Sequence, residues 1–67
     1  MNEKTLVRVM LDLVNGGGNR EKIREVPLFK ELSEDFFEDL YEKAIKIKEE
    51  MKEGITFKEA WDFYDRK

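Results

Sequence analysis

Six carboxylates, Glu31, Glu34, Asp35, Glu38, Asp39 and Glu42, fall within twelve residues that hold no lysine or arginine. Carboxylates this close can do two kinds of chemistry. A pair can divide acid and base roles, which needs a pocket that keeps one of them protonated. A cluster can hold calcium, which needs a flexible loop with a glycine at its turn. This run contains no glycine, its spacing is helical, and nothing around it suggests a pocket. The plain interpretation is a solvated helix face. The functional one is an acidic docking surface, made of Glu34, Asp35, Glu38, Asp39 and Glu42, for a basic partner protein.

Two other stretches invite a chemical reading. Gly16-Gly17-Gly18 precedes Asn19 and Arg20, but a phosphate-cradling loop needs a strand before it and a Gly-Lys-Ser/Thr ending. Neither is present, and the glycines are more simply a turn. One glycine suffices to end a helix, so the other two either keep the turn mobile or permit close approach. Downstream, Arg20, Lys22, Arg24 and Lys30 make the second segment the most basic part of the chain. Residues 1–30 carry six Lys/Arg against four Asp/Glu, whereas residues 31–67 carry seven against twelve. Asn19, Arg20, Lys22 and Arg24 could present amide and guanidinium groups to nucleic acid in a helix-turn-helix arrangement spanning residues 4–32. A net charge of −3 argues against that alternative, because nucleic-acid binding leaves a basic footprint.

The chain has no cysteine and no histidine, the residues on which zinc, iron–sulfur and haem sites draw. Neither a cofactor nor a metal site is expected, no small-molecule substrate is evident, and the expectation is that the protein is not an enzyme. No apolar run approaches the ~18 residues that would cross a membrane, and the first residues lack the apolar core of a signal peptide. A cytoplasmic location follows as the expectation.

These groups must be positioned by helices. The sequence predicts an all-α single domain over 1–67, a compact bundle of about four helices at 3–15, 19–26, 34–53 and 57–66 with short loops. The first is apolar almost all round: Leu6, Val7, Val9, Met10, Leu11, Leu13 and Val14 leave only the Arg8/Asp12 stripe polar. Such a helix is either wrapped by the others or half-buried against another molecule. Its valines leave a buried strand as the alternative. Asn19 is suited to cap the second helix. Pro27 stops that helix at or soon after Val26 and can open a further turn holding Leu28, Phe29 and Leu32. Ser33 caps the longest helix, whose core face is expected to be Phe36, Leu40, Ala44, Ile47 and Met51, with Phe37, Tyr41 and Ile45 beside it. Asp39/Lys43 and Glu42/Lys46 are expected i,i+4 pairs. Gly54 ends this helix. Thr56 and Glu59 form a capping box for the last, where Phe57, Ala60, Trp61 and Tyr64 make the buried stripe. Phe63 falls off that stripe and joins the candidate contact residues.

The run Thr56-Phe57-Lys58-Glu59-Ala60-Trp61-Asp62-Phe63-Tyr64 resembles the last helix of the YozE-type SAM-like domains, a small bacterial family. The likeness covers about nine residues and implies a small helical bundle without assigning a function. The expected activity is therefore non-enzymatic binding of another protein, with a second copy of the chain among the candidate partners.

Overall fold

The computed structural model describes residues 2–65, of which five segments are helical and none is a strand. The first, α1 (Glu3–Asn15), starts where Asn2 accepts a hydrogen bond from the Thr5 N–H at 2.8 Å, satisfying one of the donors a helix start leaves free. Its β-branched residues do not make a strand of it. Its other end is a Schellman motif. Gly17 takes φ +95°, its N–H bonds to the Val14 carbonyl at 3.1 Å, and the Gly18 N–H reaches the Leu13 carbonyl at 2.9 Å. The glycine run is thus a specified turn. At Gly18 a Cβ would sit 3.0 Å from the Leu13 oxygen and 3.4 Å from Ile23 Cγ1, so the close approach this glycine permits is internal.

Asn19 caps α2 (Arg20–Arg24) through the Lys22 N–H at 2.9 Å. This helix ends earlier than residue 26, and the turn opened by Pro27 is a helix of its own, α3 (Pro27–Lys30). Val26, ahead of proline, is extended at φ −64° and ψ 130°, because the proline ring disfavours helical backbone in the residue before it. The bundle accordingly has five helices among the described residues instead of about four, three of them long.

Ser33 caps α4 (Glu34–Lys52) by accepting from the Phe36 N–H at 3.2 Å. At about 28 Å, 19 residues of helix run the length of a molecule whose longest extent is 30 Å. A second Schellman motif at Gly54 (φ +100°) ends it. The capping box then starts α5 (Phe57–Asp65): the Glu59 N–H donates to Thr56 Oγ1 at 3.2 Å, and the Thr56 N–H donates to Glu59 Oε1 at 3.4 Å. The expected last residue of this helix, 66, lies outside the described residues. No helix is long and apolar enough to cross a membrane among the described residues.

The core sits where α1 packs along α4, closed by α2–α3 at one end and α5 at the other. Leu6, Val7, Met10, Leu11 and Val14 from α1 meet Phe37, Leu40, Ala44 and Ile47 from α4, with Ile23, Phe29, Ala60 and Trp61 completing it. Each large side chain buried here contributes about 1.5–3 kcal/mol. The bundle therefore covers most of α1; Val9 and Leu13 are half-buried against the core, so little apolar surplus remains on that helix. One expected core position is corrected. Phe36 is 37% exposed, and Phe37 is the buried residue. Leu40, Ala44 and Ile47 are compatible with either neighbour at helical spacing, and the α2–α3 segment decides by packing Phe29 edge-on against Phe37 at 6.2 Å.

Candidate functional site

The acidic row and the basic segment, separate candidates by sequence, are each other's partners. The Arg20 guanidinium donates to Glu38 and, at 3.1 Å, to Glu34. Its pKa is raised, first by the hydrogen bond to Glu38 and, against some desolvation, by the bond to Glu34. Arg24 lies deeper, its side chain 24% exposed, and its Nε is 3.3 Å from Glu34. Its two terminal nitrogens donate to the carbonyls of Phe29 and Leu32, both at 2.7 Å. The Phe29 oxygen is in the last turn of α3 and also accepts backbone N–H groups, whereas the Leu32 oxygen lies in the loop just past that helix. Both guanidinium groups also approach the ring of Phe37, at 5.4 Å for Arg20 and 5.0 Å for Arg24. A cation over an aromatic ring is attracted by its quadrupole. Together these contacts clasp α2 and α3 onto the first turns of α4.

The clasp explains why the sequence carries basic and acidic runs in succession. It also accounts for most of the residues that could have met nucleic acid. Asn19 is a cap, Arg20 and Arg24 hold α4, and Lys22 is the member left exposed without an ion pair among the described residues.

Further along the row, Asp39 pairs with Lys43 at 3.0 Å, and Lys43 reaches Glu3 of α1 at 2.5 Å. The lysine pKa is raised, chiefly by the hydrogen bond to Glu3. Glu42 makes no such pair with Lys46. Of the five acidic docking candidates, Glu34, Glu38 and Asp39 are neutralised within the chain, whereas Asp35 and Glu42 are exposed and have no cation partner among the described residues.

Phe63 stands apart from that row. It is 55% exposed and meets Tyr64 edge-on at 5.9 Å. It lines an open groove of about 430 Å³ with Glu50, Glu53, Ile55, Glu59 and Ala60, at the far end of α4. From Glu38 to Glu50 the helix advances about 18 Å. The residues around Phe63 are thus a different set of carboxylates from those the sequence singled out. Ile55, the residue just before the capping box, is 37% exposed in this groove. The charge of Glu50 is felt at Tyr64, whose pKa is raised first by burial and then by that carboxylate. The sequence signal that could have found the groove is the pair Glu50 and Glu53 in the last turn of a helix, where the helix dipole favours cations.

A second depression, about 190 Å³ between Asn15, Lys48, Met51 and Lys52, is smaller than the usual ligand pocket. No cluster of three or more metal-ligating side chains occurs among the described residues. No protein-family model matches the chain, and neither a curated protein nor a solved structure matches it. The nine-residue likeness to the YozE-type domains therefore carries no family assignment.

Proposed function

We propose that this chain is a non-enzymatic helical module that acts by binding another protein, as a small regulator, inhibitor or adaptor. One observation carries the proposal: of the three large apolar side chains that stand exposed among the described residues, Ile55 and Phe63 lie together in a single open groove with Ala60 beneath. Scattered exposed apolar residues need no explanation, but grouped ones mark contact surfaces. Aromatic residues are also the usual anchors of protein interfaces. The lack of histidine and cysteine and the open form of the groove favour binding over catalysis. Nucleic-acid binding through Asn19, Arg20, Lys22 and Arg24 is the weaker reading, since it would have to break the clasp that holds α2 and α3.

The test is site-specific photo-cross-linking in cells that express the full chain, with the cross-linker at position 63, at position 35 on the acidic row and at position 4 as a control. A defined protein adduct at 63 or 35 and none at 4 is the expected result. Absence of any protein adduct at both 63 and 35 would refute the reading.

A further inference from the structure

We infer that the groove between the end of α4 and α5 takes a basic amphipathic segment of the partner protein; this inference rests on the protein-binding reading above. The floor is apolar, with Ile55, Ala60 and Phe63, and the rim is three glutamates, Glu50, Glu53 and Glu59. Glu59 also serves the capping box through Oε1. Glu50 and Glu53 pair with no cation among the described residues, whereas Glu34, Glu38 and Asp39 on the same helix are all paired.

The position of Glu50 and Glu53 sharpens the argument. Both lie at the C-terminal end of α4, the negative pole of the helix dipole. Negative side chains there oppose folding, and lysine or arginine would stabilise the same helix. The fold gains nothing from these charges, so a partner's charge is what they can serve. A second copy of this chain is a poor occupant, because two grooves meeting face to face would oppose three glutamates to three. Nucleic acid is repelled for the same reason. A helical segment with an apolar stripe flanked by lysine or arginine satisfies both parts of the groove: apolar side chains seat against Ile55 and Phe63, and its cations meet Glu50, Glu53 and Glu59.

The experiment uses the full chain and three fluorescein-labelled peptides: an amphipathic Leu/Lys helix, its Leu/Glu counterpart, and a Lys/Ser peptide of the same charge with no apolar stripe. Binding is followed by anisotropy at two salt concentrations and mapped on the amide NMR spectrum. The Leu/Lys peptide is expected to bind saturably, more weakly at high salt, and to shift the amides of Ile55, Glu59, Ala60 and Phe63. Phe63→Ser is expected to weaken it roughly tenfold, the scale of losing one aromatic anchor. Glu50→Lys with Glu53→Lys is expected to abolish binding while raising the thermal midpoint of the free protein, a combination that damage to the fold would not produce. The inference is overturned by lack of saturable binding, by equal binding of the Leu/Glu or Lys/Ser peptide, or by shifts confined to the Glu34–Glu42 half of α4. Such a result alongside a protein adduct at position 63 or 35 would leave the protein-binding reading standing and remove only the basic chemistry; no adduct at either position would remove the reading itself.

Discussion

At the scale of single residues, two arginines four positions apart differ in what they hold. Arg24 bridges the carbonyls of Phe29 and Leu32 and lies over Phe37. Removing it takes the side-chain donor from the Leu32 carbonyl and one of several donors from the Phe29 carbonyl, which also accepts from the N–H groups of Glu31 and Leu32. Arg24→Ala is expected to cost about 2 kcal/mol by urea denaturation, the usual scale for hydrogen bonds to a charged group. Arg24→Lys should recover less than half of that, because an ammonium is compact and lacks the planar fork that reaches both oxygens. Arg20 contacts exposed carboxylates in solvent, and Arg20→Ala should cost clearly less than Arg24→Ala. Equal losses would show that the carbonyl bonds of Arg24 add nothing. The adjacent phenylalanines make a second contrast. Phe36→Ser is expected to stay within about 0.5 kcal/mol of the parent, as for exposed positions, whereas Phe37→Ala should cost about 3–5 kcal/mol and remove most helical circular dichroism. Helical spacing alone left both residues near the core face. The choice depends on Phe29, which reaches Phe37 only once α3 has folded back on α4.

At the scale of the elements, the boundaries are set by caps, and caps are local. Asn2, Asn19, Ser33 and Thr56 each hold an N–H three residues downstream, and α1 and α4 end in the same glycine motif. That is why the helix limits could be drawn from the sequence to within a residue or two, except where Pro27 divided one expected helix into α2 and α3. The three glycines after α1 have separate duties, so alanine should affect each differently. Gly16 has an ordinary φ of −81° and only van der Waals neighbours, and Gly16→Ala should be neutral or stabilise by up to about 0.5 kcal/mol. Gly17→Ala is expected to cost about 1 kcal/mol for its left-handed backbone, and Gly54→Ala the same. Gly18→Ala is strained by crowding, since its Cβ would press on the Leu13 carbonyl. Thermal melts of the four variants check this order; uniform effects would mean that the turn is not held as described. The groove was far less legible than the caps. Phe63 could be singled out because it leaves the helical stripe, but its neighbours depend on the angle through which the chain turns at Gly54. Likewise, the opposite charges of the 20–24 and 34–38 segments were visible, whereas their pairing across 14 to 18 positions is a consequence of tertiary packing.

At the scale of the whole molecule, α1 is joined to α4 by the core and, at the surface, by Lys43, whose ammonium lies between Glu3 and Asp39. This link makes stability depend on pH in a defined direction. The folded state raises the Lys43 pKa above its ordinary 10.5, with the Glu3 hydrogen bond as the main cause. The protonated form is thus the one the fold favours. Its contribution is complete below 10.5 and fades as pH rises through the folded value. Tyr64 acts with the same sign for a different reason. Burial, and then the charge of Glu50, raise its pKa above 10.0, so the unfolded chain ionises first and gains relative to the fold. The urea midpoint should consequently hold steady from neutral pH to about pH 9.5 and fall above about pH 10, where both groups begin to lose protons. Lys43→Met should lower the midpoint at neutral pH, because Glu3 and Asp39 lose their shared cation, yet flatten the alkaline fall. Tyr64→Phe should flatten it too, without the neutral-pH loss, and the double variant should be flattest. An alkaline fall undiminished in the double variant would mean that the lysine link and the buried phenol do not govern the pH dependence of this fold.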